Sequence, residues 1–108
     1  MISNALRSSI VGWSKTLSGE VAKEGITVNV VLPGRIKTDR TTEIDSAAAK
    51  TQGKSVADVE AASLATIPMA RYGKVEEFAD VVCFLASERA SYVTGSLVRV
   101  DGGAVRSV

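Results

Sequence analysis

The 108-residue sequence contains no histidine and one cysteine, Cys83. A Ser-His-Asp or Cys-His catalytic arrangement is therefore excluded, as are the usual zinc sites, and no disulfide can form within the chain. No metal site is expected. Chemistry must rest on Ser, Tyr, Lys, Asn, carboxylates or a bound cofactor. The stretch best suited to it is VNVVLPGRIKT, residues 28–38, where an apolar run ends abruptly in Pro33-Gly34 and a short basic-polar tail. Pro33 cannot donate a ladder hydrogen bond, so a strand should stop there. Gly34 lets another group approach the backbone closely. On composition alone this is a strand-ending turn. It would nevertheless lie at the carboxyl end of a strand, the place where open α/β sheets bind their ligands.

The flanking elements must position that turn. Ile2, Leu6, Ile10, Trp13, Leu17 and Val21 recur at spacings of three and four and predict a helix over 2–23 with one apolar stripe. Trp13 on that stripe reads as a core or interface anchor, and Lys15 as a solvated residue. Ala5, Ser8, Ser9 and Gly12 form a small-residue strip that would let a second backbone pack closely. Gly25 is placed to close the helix in a left-handed conformation. Residues 26–32 are apolar at nearly every position, as in a strand of a parallel sheet covered on both faces.

Residues 39–66 are polar, with weak periodicity, and predict one or two short, mobile helices, one of them starting at Ser55-Val56-Ala57-Asp58. Val75, Phe78, Ala79, Val82 and Leu85 restore a helical stripe, with Glu76 and Glu77 in its first turn. Cys83 reads as a packed apolar residue and Tyr92 as a packing residue in a turn. Gly95 leads into a second strand, 97–100, which Asp101-Gly102-Gly103 ends. Strand, helix and strand in this order imply a right-handed parallel βαβ unit, hence an α/β fold.

The charge balance limits the partners. Thirteen Lys and Arg against twelve Asp and Glu leave a formal net charge of +1, which gives no field to attract nucleic acid or anionic lipid. The apolar runs are too short for a membrane span and no signal peptide is evident, so the expectation is a cytoplasmic protein. The strand at 26–32 wants neighbours on both edges, whereas 97–100 is the only candidate in the sequence. The chain is therefore expected to be the C-terminal portion, 1–108, of a larger α/β domain.

Two long stretches then resemble a known family. SNALRSSIVGWSKTLSGEVAKEGITVNVVLPGRIKT is similar to the segment of short-chain dehydrogenases/reductases that follows their catalytic Tyr-x-x-x-Lys. IPMARYGKVEEFADVVCFLASERASYVTGSLVRVDGG is similar to their C-terminal third. The closest likeness is to the 3-oxoacyl-acyl-carrier-protein reductase branch. The resemblance implies the C-terminal part of a Rossmann-like doubly wound parallel sheet, with NADP or NAD as cofactor. It implies a small-molecule or acyl-carrier-bound carbonyl substrate, and a homo-oligomer. Pro33 and Gly34 would lie beside the nicotinamide. The backbone of Ile36 would meet its carboxamide, and Thr38 would hydrogen-bond the carboxamide or the pyrophosphate. Residues 39–72 would form the substrate loop and lid, with Arg71 and Tyr72 fixing its hinge. Arg35 or Arg40 would greet an acidic carrier or remain solvated.

The pattern departs from the family at Asn4, which stands where the resemblance places the catalytic lysine. That lysine holds the nicotinamide ribose and lowers a tyrosine pKa through its charge. Asparagine can hydrogen-bond a ribose hydroxyl but brings no charge. The partner tyrosine would fall one position before Met1. The glycine-rich phosphate turn, the adenine-side selector and the catalytic serine have no counterpart in the sequence either, so the chain alone is expected to be inactive. A second reading is a non-catalytic oligomerising remnant or pseudoenzyme, associating through the Ala5, Ser8, Gly12 strip.

Overall fold

The computed structural model describes residues 2–107. The chain divides into two compact units, the first Met1–Leu32 with Asp80–Arg99, the second Pro33–Ala79 with Val100–Val108.

In the first unit, helix α1 spans Ile2–Val21 and runs into a 3-10 turn, Ala22–Glu24. Gly25 closes it as expected, with φ 76° and its N–H donating to the Ala22 carbonyl. Strand β1 (Val30–Pro33) pairs with β2 (Leu97–Val100) in a two-stranded sheet. The partners advance together along both strands, Val30 N–H to Ser96 C=O and Gly34 N–H to Val100 C=O, so the pairing is parallel. The ladder is shorter than the predicted strand and includes Pro33. Residues 26–29 lie outside the strand and are held by one backbone bond, Gly95 N–H to Val28 C=O at 2.8 Å, and by side chains. Asn29 Nδ2 donates to the Val93 carbonyl and its Oδ1 accepts from Ser96 N–H, while Val28 N–H donates to Thr94 Oγ1.

Alternation along β1 puts the helices on opposite faces. Val28 and Val30 line a cleft of ≈ 170 Å³ with Val11, Ser14 and Lys15 of α1. Thr27, Asn29 and Val31 line another with Val82 and Leu85 of helix α4 (Val75–Leu85). Both strands are only half-buried at their apolar positions or exposed.

The amino-terminal part of the predicted apolar stripe of α1 is not its buried face, whereas Leu17 and Val21 at its other end are half-buried. Ile2, Leu6, Ile10 and Trp13 are 78%, 60%, 55% and 63% exposed, whereas Ser14 and Ser18 are buried. The turn at Gly95 (φ 68°) lies against that face, where a Cβ would sit 2.8 Å from Ser18 Oγ and 2.9 Å from Lys15 Nζ. Glycine at 95 leaves room for both the Ser18 hydroxyl and the end of the Lys15 side chain. Lys15 is not merely solvated, since its Nζ donates to the Gly95 carbonyl at 3.3 Å. Cys83 is exposed rather than packed, and Tyr92 is fully exposed.

In the second unit, the polar stretch forms two helices, α2 (Asp39–Gln52) and α3 (Val56–Ala65). Thr38 caps α2 and the left-handed Gly53 ends it. Ser55 caps α3 by accepting from Asp58 N–H at 3.1 Å, at the predicted start. The buried positions of α2 are Thr41, Asp45 and Ala49, four residues apart. Val59, Ile67 and Tyr72 complete the buried set of this unit's apolar side chains together with Ala49. Asp101-Gly102-Gly103 is the expected turn. Asp101 accepts from Gly103 N–H and Val105 N–H, and the two glycines lie against Ile67, Pro68 and Met69. No helix among the described residues is long and apolar enough to cross a membrane.

Candidate functional site

The turn after β1 is held on three sides within the second unit. Gly34 N–H donates to Val100 C=O at 2.9 Å. A Cβ on Gly34 would lie 2.6 Å from both Cα and Cβ of Asp101, so glycine is required here by the neighbouring backbone itself. One step on, Ile36 and Gly73 form an isolated parallel bridge, in which Gly73 N–H donates to Arg35 C=O at 2.8 Å and Lys37 N–H to Gly73 C=O at 2.9 Å. A side chain on Gly73 would meet Ile36 Cδ1 at 2.8 Å.

That bridge uses the carbonyl before Ile36 and the amide after it, which turns Ile36's own N–H and C=O the other way. The Thr41 hydroxyl donates to the Ile36 carbonyl. The Ile36 N–H finds no acceptor among the described residues. Thr38 Oγ1 accepts from Thr41 N–H at 3.3 Å and lies 3.3 Å from Thr41 Oγ1. The single Thr41 proton is already directed at Ile36, so the Thr38 hydroxyl must be the donor in that long contact. A better acceptor can take its proton. The turn thus presents one free backbone donor and one weakly engaged hydroxyl, beside the positive end of α2. Such a pair suits a carboxamide or another flat polar acceptor, and cannot by itself move a hydride or a proton.

Beneath the turn lies a polar cluster. Asp45, 2% exposed, accepts from Tyr72 Oη at 2.8 Å and pairs with Arg35 Nη1 at 3.4 Å. Its Oδ1 has no hydrogen bond of good geometry. Arg35 Nη2 donates to Ser63 Oγ at 3.1 Å, and Lys37 pairs with Glu60 at 3.9 Å. Arg35 and Lys37 both stand over the Tyr72 ring, at 5.9 and 5.4 Å from its centroid. Burial, and then the hydrogen bond to Asp45, push the Tyr72 pKa up, so its hydroxyl stays protonated as a donor.

Arg71 makes a two-pronged pair with Glu77 at 2.7 and 2.8 Å and also donates to the Tyr72 carbonyl. Glu77 in addition accepts from Lys74 N–H. The Arg71 bond above all, then the Lys74 amide, lower the Glu77 pKa to about 2, while Glu77 raises that of Arg71. Arg71 and Tyr72 thus tie their segment to α4 and α2. Arg40 is 79% exposed and pairs only with Glu43, whereas Arg35 is engaged with Asp45.

Of the residues singled out from sequence, Pro33, Gly34, Ile36 and Thr38 share one turn in the second unit. Asn4 is exposed in the first turn of α1, in the first unit. Thr41, Asp45 and Gly73 were missed. The three-residue spacing of Thr38 and Thr41 was a capping signal that could have flagged one of them. Asp45, in a stretch of weak hydrophobic periodicity, carried none. No group of three or more potential metal ligands occurs among the described residues.

A family model described as Enoyl-(Acyl carrier protein) reductase matches residues 2–105. The chain is 44% identical over 100 residues to a 3-oxoacyl-[acyl-carrier-protein] reductase of Buchnera aphidicola, covering 93% of this chain and 36% of the relative. Its counterpart in Escherichia coli K12 is 42% identical over 99 residues, with 92% and 36% covered. The chain therefore spans little more than a third of the length of the curated relatives it matches. Among solved structures, YwfH, an NADPH dependent reductase involved in bacilysin biosynthesis, superposes with a TM-score of 0.87 at 38% identity, over 94% of this chain and 38% of that one. A short chain dehydrogenase family protein from Francisella tularensis gives 0.87 at 30% identity, over 93% and 41%. With a match along nearly its whole length, an α/β architecture of parallel strands and these neighbours, the chain belongs to the short-chain dehydrogenase/reductase family.

Proposed function

We propose that this chain supplies the nicotinamide-side turn of an NAD(P)-dependent oxidoreductase that interconverts a carbonyl and an alcohol. The substrate class is 3-oxoacyl groups on an acyl carrier, or small carbonyl compounds of that type, and the location is cytoplasmic. The observation that carries this reading is the backbone of Ile36. Its carbonyl is held by Thr41 and its N–H finds no acceptor among the described residues, while Thr38 stands two residues on with a weakly used hydroxyl. These donors fit a carboxamide. When bound, the dinucleotide supplies the hydride. This chain's part is to orient the ring through Ile36 and Thr38 and, with residues 39–72, to form the substrate side.

Asn4 would hydrogen-bond the ribose without lowering the pKa of a neighbouring phenol, because it lacks charge. Proton delivery by the usual Tyr-Lys pair is therefore not among this chain's own contributions, and the chain alone is inactive in this reading. The experiment is a titration of the 15N-labelled chain with reduced nicotinamide mononucleotide, which carries the ring and its ribose without the adenine half whose phosphate turn has no counterpart in this sequence. Ile36 and Thr38 amide shifts that saturate support the reading. No shift at the turn at millimolar mononucleotide sinks it.

A second reading, an oligomerising remnant or pseudoenzyme, is favoured by α1, whose Ile2, Leu6, Ile10 and Trp13 stand exposed in one stripe. Sedimentation of the chain over a hundredfold range of concentration tests it. A monomer throughout removes it.

A further inference from the structure

We infer that Thr41 and Asp45, one turn apart on the buried face of α2, are positioning residues that brace the turn by holding the Ile36 carbonyl and the Arg35 side chain against that helix. This rests on the reading that the turn meets the nicotinamide. Side chains at i and i+4 share a helix face, and here that face addresses two consecutive residues of the turn. Asp45 takes the Arg35 side chain and Thr41 takes the Ile36 carbonyl.

Neither contact is a surface accident. Thr41 is 7% and Asp45 2% exposed, and Asp45 is further locked by the Tyr72 hydroxyl. Tyr72 immediately precedes Gly73, which holds Arg35 and Lys37 from the opposite side. The Ile36 peptide is thus clamped between α2 on one side and the Gly73 bridge on the other. The Tyr72 hydrogen bond gives the buried carboxylate its direction and the Arg35 guanidinium adds charge attraction at 3.4 Å, whereas an apolar contact would let the helix slide. The Ile36 carbonyl shares its peptide plane with the Lys37 N–H, which donates to Gly73 C=O, so Thr41 and Gly73 grip that plane from opposite sides and loss of the Thr41 hydroxyl leaves it held on one side only. Asp45 acts one step earlier, by keeping Arg35, and with it the start of the turn, against α2. In this arrangement α2 is the fixed base of the 39–72 segment.

The test compares amide hydrogen exchange and nicotinamide mononucleotide affinity in the 108-residue chain for Thr41→Val, Asp45→Asn and the conservative Thr41→Ser. Thr41→Val and Asp45→Asn should speed exchange at Lys37 and Gly73 by about tenfold, the loss of one buried hydrogen bond. The Val30 and Gly95 amides should keep their rates, and Thr41→Ser should behave as the parent. Acceleration spread evenly over all four amides, or absent from all, overturns the inference. So does failure of Thr41→Ser to restore the parent rates. Should Asp45→Asn not fold, Tyr72→Phe probes the same lock and must show the same selectivity. In the mononucleotide titration, Thr41→Val should weaken binding about tenfold, and unchanged affinity overturns the positioning role. Absence of any mononucleotide shift in the parent chain sinks the cofactor reading alone, since the exchange rates judge the brace by themselves.

Discussion

The two units solve the problem of order in opposite ways. In the first, α1 buries two serines and leaves Ile2, Leu6, Ile10 and Trp13 to solvent. In the second, α2 buries a threonine and an aspartate and ties them to a tyrosine, an arginine and a backbone carbonyl. One unit leaves apolar surface exposed; the other adds directional bonds to its buried Ala49, Val59, Ile67 and Tyr72, although Asp45 Oδ1 accepts no hydrogen bond. The lesson is that the candidate site sits where geometry is specified by hydrogen bonds. Hydrophobic burial is non-directional and tolerates small shifts, whereas a carboxylate or carbonyl with a single partner does not. A turn that must aim one N–H is better served by the second kind of support.

The contrast can be broken most sharply at Gly34. A methyl group there would press on Asp101 Cα and Cβ at 2.6 Å, and backbone cannot give way as a flexible side chain does. Gly34→Ala should cost roughly 2–3 kcal/mol in urea unfolding, and a loss under about 0.5 kcal/mol would show the turn to be looser than described. Next comes Tyr72→Phe, which leaves the buried Asp45 carboxylate without its best donor. About 2 kcal/mol should be lost, and an unchanged urea midpoint would mean that the polar interior of the second unit is not what orders it.

A smaller effect of opposite sign is expected at Ala70, whose φ of 56° is left-handed. Ala70→Gly should relieve that conformation at some entropic cost, a net gain of about 0.5–1 kcal/mol by thermal unfolding.

Glu77 sharpens the comparison through pH. Its pKa is lowered from the ordinary value of 4.5 to about 2 by Arg71 and the Lys74 amide. Its stabilising contribution is therefore complete above pH about 4.5 and is lost as pH falls toward 2. The pair is solvent-screened, so the effect is modest. Glu77→Gln should flatten the acid limb of stability between those values, and an unaltered limb would contradict the pairing. The smallest change is predicted for the first unit: Trp13→Ser should leave the stability of the chain within about 0.5 kcal/mol, because that ring is 63% exposed. A large loss would show that α1 is buried in solution by a second molecule.

Much of the architecture was legible in the residues alone. Helix-forming spacing, Gly25 as a left-handed stop, the Ser55 cap, strand 97–100 and the Asp101-Gly102-Gly103 turn all follow from local chemistry, in which each residue's preference is set by its own backbone and near neighbours. The motifs VNVVLPG, IPMARYG and YVTGS–VDGG sufficed for the family, since their types and separations record the frame they must fit. Tertiary structure decided what depends on residues far apart. The covered face of α1 carries Ser14 and Ser18 and meets the turn at Gly95, whose missing side chain leaves room for Ser18 and Lys15, and the hydrophobicity of the helix did not reveal it. The buried face of α2 escaped detection because its members are Thr41 and Asp45, and a hydrophobic pattern is blind to polar groups whose burial is offset only by partners up to 27 residues away. The same holds for Gly34. Sequence marked it as a place for close approach, and only the fold showed that Asp101 is the group that approaches.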